Sequence, residues 1–152
     1  MVPTGIAGFD DMTGSGLPAG RTTLVTGGLG SGKTTFTLQM LVSGATSGEC
    51  GIFVAFEESV ASIRANSANF KWDFVSANDR FFWLDARVSS ETVISGQFAM
   101  HGLLAALSSQ LEETGAKRIT FDSRDVLLSL LGSADLAVRE VRRLHEWLAQ
   151  RA

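Results

Sequence analysis

The stretch that decides the fold runs Gly27-Gly28-Leu29-Gly30-Ser31-Gly32-Lys33-Thr34. It matches the pattern G-x-x-x-x-G-K-[ST], follows an apolar segment (Thr22 to Thr26) and opens an amphipathic helical pattern. Glycines allow backbone conformations that other residues avoid, so successive N–H groups of such a loop can turn toward one anion. The sequence therefore predicts a strand, a phosphate-binding loop and a helix, in that order.

Each position of this loop has an expected task. Lys33 is predicted to reach the β- and γ-phosphates of a nucleotide and Thr34 to place its hydroxyl on Mg²⁺, while the helix N-terminus adds a partial positive charge. The dinucleotide pattern G-x-G-x-x-G fails from Gly30, because its sixth position is Thr35. The predicted nucleotide-binding set here is Gly28, Leu29, Gly30, Ser31, Gly32, Lys33, Thr34 and Thr35.

The rest of the chain alternates short apolar segments with helical patterns. Further strands are predicted at Ile52 to Phe56, Phe81 to Leu84 and Ile119 to Phe121, and their continuous hydrophobicity is typical of parallel strands buried on both faces. Helices are predicted after the phosphate loop, at 58–70, around Met100 to Leu111 and at 134–151, the last with the apolar stripe Val138, Val141, Leu144 and Leu148. This alternation predicts an α/β fold, and without a repeat or linker we expect residues 1–152 to form a single domain.

Composition narrows the class of protein. With 152 residues, 45% of them hydrophobic and 19% charged, the chain is expected to be globular. A net charge of −3 argues against non-specific nucleic-acid binding and against attachment to an anionic membrane. Cys50 is the single cysteine, and no apolar run approaches the ~18 residues of a membrane span. We therefore expect a cytoplasmic protein.

Carboxylates stand at the ends of the predicted strands. Glu57 and Glu58 follow the second strand, and in an open parallel sheet the carboxyl ends face the ligand crevice. One of them is predicted to orient and deprotonate the attacking water of a nucleotide hydrolase. Asp85 and Asp122 end two other strands, and either could hold Mg²⁺ through its water shell. Periodicity does not choose between these two aspartates.

Three segments besides the phosphate loop carry a family resemblance. They are Thr4-Gly5-Ile6 to Gly8-Phe9-Asp10 with Gly16-Leu17-Pro18-Ala19-Gly20-Arg21, then Phe53-Val54-Ala55-Phe56-Glu57-Glu58, then Arg118-Ile119-Thr120-Phe121-Asp122-Ser123. Together they resemble the KaiC-type ATPases of the RecA-like superfamily over the whole chain. The resemblance implies a RecA-like P-loop three-layer sandwich with a mainly parallel sheet, and it selects Asp122 over Asp85 as the metal-binding acid.

The resemblance also implies a function. A member of this family is expected to bind ATP with Mg²⁺ and to hydrolyse it in a homo-oligomeric ring, a hexamer at full length, with a clock or signalling protein as partner. Lys33, Glu57 and Glu58 would be the catalytic residues, Thr34 and Asp122 the metal ligands, and Asn69 a contact to the nucleotide. Autophosphorylation on Ser or Thr occurs in some relatives, but it is tied to a second copy of the domain.

Two departures from the family pattern affect these expectations. Lys71 stands where the family usually has glycine, and Asn69 stands where it often has a serine that touches the nucleotide, which weakens the expected fit around the nucleotide base. The family's domain also continues beyond the equivalent of Ala152, through strands that carry a Lys-x-Arg segment into the neighbouring subunit. We therefore expect a C-terminally incomplete domain whose last strands are missing, with an exposed, apolar Thr22 to Thr26 edge and slow turnover.

Two other functions deserve comparison. A RecA- or RadA-like recombination ATPase would bind single-stranded DNA through basic, glycine-rich loops after the last strand, but here the segment Asp125 to Leu131 is apolar and predicts a short packed helix. A GTPase would select its base with Asn or Thr before Lys-x-Asp, and the nearest match, Phe70-Lys71-Trp72-Asp73, has the wrong first residue. Both are less favoured than the KaiC-type ATPase.

Overall fold

From the second helix onward, strands alternate with helices along the chain, as the sequence predicts. The computed structural model describes residues 1–72, 77–87, 96–122 and 133–151. Within these ranges the elements are α1 (Phe9–Thr13), α2 (Lys33–Thr46), β1 (Gly51–Ala55), α3 (Val60–Ser67), a 3-10 turn (Asn78–Arg80), β2 (Phe81–Asp85), α4 (Gly96–Thr114), β3 (Arg118–Asp122) and α5 (Ala134–Ala149).

The three described strands form a parallel sheet in the order β2-β1-β3. Gly51 lies opposite Phe81 on one side and Arg118 on the other, and Ala55 lies opposite Asp85 and Asp122. The carboxyl ends of all three strands therefore meet at one edge of the sheet. Every residue of β1 is buried, as expected of a strand with a partner on each side and a layer on each face.

Helices cover both faces of the sheet, so that β1 divides the core into two parts. Phe53 and Ala55 pack with α2 and α3, in a cluster that includes Leu41 and Ile63. Ile52, Val54 and Phe56 pack against α4 and α5, in a cluster that includes Met100, Leu104, Leu107, Leu144 and Trp147. The predicted α/β fold with three layers is confirmed.

The predicted strand at Thr22 to Thr26 is wrong. This segment has no strand structure and pairs with none of the three strands of the described residues. The side chain of Leu24 is 58% exposed. A parallel strand is stabilised by a hydrogen-bonded neighbour and by burial of its apolar side chains, whereas this segment pairs with none of the described strands and leaves Leu24 exposed. It is exposed, as expected, but as irregular backbone and not as a sheet edge.

Two helices differ from their predicted form. α3 begins at Val60 because Ser59 caps it, its side chain accepting a hydrogen bond from the Ser62 N–H at 3.1 Å. On α5 the predicted apolar stripe is wrong at Val138, which is 65% exposed, whereas Glu140 is buried and Leu144 packs in the core. The inner face of α5 thus includes Glu140 and Leu144, and Val138 lies on the solvent side of the helix.

Some predictions fall outside the described residues. They are the short helix at 125–131, Asp73 of the GTPase comparison, Ser123 and the chain end at Ala152. Among the helices that the structure describes, none is both long and apolar enough to cross a membrane.

Candidate functional site

The phosphate loop is a glycine turn that ends at the N-terminus of α2. Gly30 and Gly32 have φ angles of 70° and 86°, in the left-handed region, and Gly32 is the N-cap of the helix. Leu29 at the tip is fully exposed. Side chains rarely adopt these angles, so the two glycines account for the loop conformation. The loop leaves the first N–H groups of α2 available to an anion.

The Lys33 side chain folds back over this loop. Its Nζ donates to the carbonyl oxygens of Gly27 at 2.8 Å and Gly28 at 2.9 Å. The ammonium group is thus held at the start of the loop by two backbone carbonyls. The contact of Lys33 with the β- and γ-phosphates stays a prediction.

Thr34 and Asp122 come together from opposite ends of the chain. Thr34 Oγ1, in the first turn of α2, donates to Asp122 Oδ2, at the end of β3, over 2.6 Å. Both residues are half-buried. A hydroxyl and a carboxylate oxygen are ligands that Mg²⁺ takes readily, so the pair fits the predicted metal site.

This pair would need further ligands to hold a cation. In the part of the chain that the structure describes, no three His, Cys, Asp or Glu side chains cluster as a metal site. Mg²⁺ is usually held by one or two protein oxygens together with water and substrate phosphates. The Thr34–Asp122 pair beside a phosphate loop matches that pattern.

Asp85 is engaged elsewhere. It ends β2, two strands away from Asp122, and its carboxylate accepts hydrogen bonds from Arg87 Nε and Nη2, both at 2.9 Å. These hydrogen bonds from Arg87 hold the pKa of Asp85 below its ordinary value. The geometry thus favours Asp122 as the metal-binding acid, in line with the resemblance.

Glu57 and Glu58 extend from β1 at the same edge of the sheet. The Phe56 N–H donates to the Asp122 carbonyl at 2.7 Å, which puts Glu57 directly after a residue paired with Asp122. Glu58 Oε2 instead accepts hydrogen bonds from Ser62 Oγ at 3.2 Å and Asn66 Nδ2 at 3.4 Å, which direct it toward α3. Both glutamates are exposed.

The other predicted contact residues are less closely tied to this edge. Thr35 is half-buried in the first turn of α2, and the Ser31 N–H donates to the Gly28 carbonyl at 3.3 Å within the loop. Asn69 is exposed after α3, and none of the hydrogen bonds among the described residues joins it to the loop. Its predicted contact to the nucleotide stays a prediction.

A surface groove does not coincide with the predicted site residues. A shallow groove between α4 and α5 is lined by His101, Arg143 and Trp147, among others, and by none of the predicted site residues. The segment Gly27 to Gly32 is an exposed turn that does not line this groove. We therefore locate the candidate site by its donors and ligands and not by the groove.

The sequence analysis did not identify two charged residues that hold parts of the fold together, one in the N-terminal segment and one at the start of β3. Asp10 accepts hydrogen bonds from the Thr4 N–H, the Thr4 hydroxyl and the Gly5 N–H, at 2.7 to 3.1 Å. Arg118, at the start of β3, is only 7% exposed. The sequence does show that Arg118 is a charged residue at the start of an apolar strand. It does not show what the side chain of such a residue contacts.

Comparison with known proteins gives a family for the chain. The family model described as "ATPase: KaiC" matches residues 2–152. The circadian clock protein KaiC2 of Synechocystis sp. is 40% identical over 153 residues, which cover 98% of this chain and 27% of that protein. The circadian clock oscillator protein KaiC of Prochlorococcus marinus is 40% identical over 147 residues, covering 94% of this chain and 30% of that protein.

A third relative gives the same result. The circadian clock oscillator protein KaiC of Parathermosynechococcus lividus is 40% identical over 151 residues, covering 97% of this chain and 28% of that protein. The chain thus spans between 27% and 30% of the length of these relatives. Because the family model covers nearly the whole chain, the chain belongs to the KaiC ATPase family.

Proposed function

We propose that this chain is a domain that binds ATP with Mg²⁺ and supports ATP hydrolysis. The hydrogen bond between Thr34 Oγ1 and Asp122 Oδ2, beside the loop that holds Lys33, is the observation that carries the proposal. It joins a hydroxyl and a carboxylate at the edge of the sheet where a phosphate loop ends. The single run of the family match over residues 2–152 supports treating the chain as one domain.

Each residue has a distinct task in this proposal. Lys33 leaves the loop carbonyls and neutralises the β- and γ-phosphates, to which the N–H groups of the α2 N-terminus also donate. Thr34 and Asp122 hold Mg²⁺, which when bound neutralises charge that develops on the phosphate oxygens. Glu57 or Glu58 orients the attacking water and accepts its proton.

The setting of this activity is also a proposal. The printed names of the relatives refer to a circadian clock, which supports a timing or signalling role with a protein partner. Assembly into a homo-oligomeric ring is proposed for a full-length protein.

Serine or threonine autokinase activity gains no support from the described residues. The family match favours the proposed function over a recombination ATPase that binds single-stranded DNA.

Nucleotide binding can be tested by titrating a fluorescent ATP analogue with Mg²⁺. Lys33→Ala is expected to weaken binding about 10- to 100-fold, because charge-assisted hydrogen bonds to the phosphates are lost. Lys117→Ala is the matched control: it removes the same charge from an exposed position just before β3, at the other end of the strand from Asp122. Equal affinity of both variants would contradict the proposal.

A further inference from the structure

Arg118 is a buried cation with several partners. Its Nε donates to Glu49 Oε2 at 2.7 Å, and its Nη1 donates to the carbonyl oxygens of Pro3 at 2.7 Å and Met40 at 2.9 Å. Burying a guanidinium is unfavourable unless its donors and charge are paired, and these contacts pair them. Through them the start of β3 is joined to α2, to the connection that follows α2, and to the N-terminal segment.

Gly44 gives the Arg118 side chain its space. It lies in the C-terminal part of α2, and a Cβ built there would lie 2.6 Å from Arg118 Nε and 2.9 Å from Arg118 Cζ. Glycine is among the poorest helix formers, so its presence inside a helix calls for a local reason. Here that reason is the guanidinium packed directly against the helix backbone.

These contacts attach α2 to β3 at two separated points. Along β3, Asp122 lies four residues after Arg118, about 13 Å at the usual rise of a strand. Along α2, Met40 and Gly44 lie about 9 Å and 15 Å beyond Thr34. The Thr34–Asp122 hydrogen bond therefore fixes one end of the helix against the strand, and Arg118 fixes it two to three turns further along.

We propose that Arg118 is a positioning residue for the Thr34–Asp122 metal site. By binding the Met40 carbonyl and packing on Gly44, it sets how far α2 slides along β3, and this sliding decides whether Thr34 Oγ1 meets Asp122 Oδ2. The inference rests on the proposed function, since it concerns the Mg²⁺ that this pair would hold. Arg118 itself contacts neither the metal nor the nucleotide.

Replacing Arg118 alone would be an ambiguous test, because it leaves the Glu49 carboxylate and two carbonyl oxygens without this donor. Gly44→Ala keeps the arginine in the chain and changes only the space beside it. Alanine is the best helix former, while its Cβ would displace the guanidinium. The matched control is Gly102→Ala on α4, where a Cβ meets nothing within 4 Å. Arg118→Lys is a second variant that keeps the charge but lacks the forked geometry.

The experiment measures the affinity of each variant for a fluorescent ATP analogue, once with Mg²⁺ and once with EDTA, together with its melting temperature. For Gly44→Ala we expect the affinity with Mg²⁺ to fall about tenfold, as for other residues that orient metal ligands. The affinity in EDTA should stay unchanged, because the phosphate loop is intact. Arg118→Lys should fall between wild type and Gly44→Ala, and Gly102→Ala should match wild type in both conditions.

The outcomes separate this inference from the proposed function. If wild type binds the analogue more tightly with Mg²⁺ and Gly44→Ala does the same to the same degree, the positioning role is wrong while the proposed function stands. If Gly44→Ala loses affinity equally in Mg²⁺ and in EDTA as its melting temperature falls, Arg118 is merely structural and the inference is again overturned. If wild type binds no analogue in either condition, the proposed function itself fails.

Discussion

At the scale of single residues, the two glutamates after β1 differ in their surroundings. Glu57 follows a residue paired with Asp122, whereas Glu58 accepts hydrogen bonds from Ser62 and Asn66 on α3. We expect Glu57→Gln to lower phosphate release about 10²- to 10⁴-fold, and Glu58→Gln to lower it less. Binding of an ATP analogue should survive in both, because a group that activates water acts in the transition state.

The phosphate-release rates of the two variants would be measured at saturating nucleotide, in a longer protein that hydrolyses ATP. Asp85→Asn serves as the control, since Arg87 already engages that carboxylate. If both glutamine variants release phosphate at the rate of the unchanged protein, the residue that accepts the proton of the attacking water lies elsewhere. If only Asp85→Asn slows phosphate release, Asp85 is the residue that accepts the proton.

The tasks of single residues could be predicted only where order along the chain fixes geometry. In the phosphate loop, Lys33 and Thr34 follow the glycines directly, so the motif alone brings Lys33 and the loop together. The apolar pattern does not distinguish Asp122 from Asp85, because both end apolar strands; in the structure the hydrogen bond from Thr34 to Asp122 and those from Arg87 to Asp85 separate them. The role of Arg118 depends on a gap at Gly44, which no pattern in the sequence encodes.

At the scale of elements, Asp10 holds the N-terminal segment against α1. The hydrogen bonds from Thr4, that of its hydroxyl foremost, keep the pKa of Asp10 below its ordinary value of 3.8. The carboxylate therefore stabilises the fold at pH values above about 4, and this contribution is lost as the pH falls through the lowered pKa. Asp10→Asn should reduce stability near neutral pH, and the difference from wild type should shrink in acid.

Chemical denaturation from about pH 7 down to about pH 3 would measure this difference. Asp11→Asn is the control, because it removes the same charge from the neighbouring exposed position. A stability difference between wild type and Asp10→Asn that stays constant over the whole range would contradict the assignment to the Asp10 carboxylate.

Helices and strands were predicted well where the residues that the sequence pattern marks as apolar are also buried in the structure. They were predicted poorly where such residues are exposed. β1 and α2 are buried as their apolar residues indicate. The segment Thr22 to Thr26 has the same composition as a strand, but composition reports a tendency to be buried and does not supply the neighbouring strand. The prediction for Val138 was wrong for a related reason. The side chain of an apolar residue at the border of a predicted helix stripe can face solvent, while the charged Glu140 side chain is buried.

At the scale of the whole molecule, stability depends on β1, which forms part of both halves of the core. Phe53 is fully buried and packs beside Trp83, with ring centroids 5.3 Å apart. We expect Phe53→Ala to lower the free energy of unfolding by about 3–5 kcal/mol, through lost burial and the cavity left behind. Val138→Ala, at an exposed site, should change it by less than about 0.5 kcal/mol.

Equilibrium denaturation of the two variants would compare these effects. A similar small loss of unfolding free energy for both variants would mean that the sheet is not the centre of the core.

The fold class could be predicted because strands alternate with helices, but the order β2-β1-β3 could not. Right-handed crossovers fix the hand of each connection and leave open on which side of β1 the next strand lies.

The strand order also has a consequence for synthesis. In the described sheet, β1 pairs only with strands that follow it along the chain. A ribosome adds about 5–20 residues per second, so the 88 residues that separate Thr34 from Asp122 take roughly 4–18 s to make. Until then a nascent chain has a phosphate loop with no acid opposite it, and an apolar β1 without its partner β3. During that time β1 offers an unpaired, apolar edge to chaperones or to other chains.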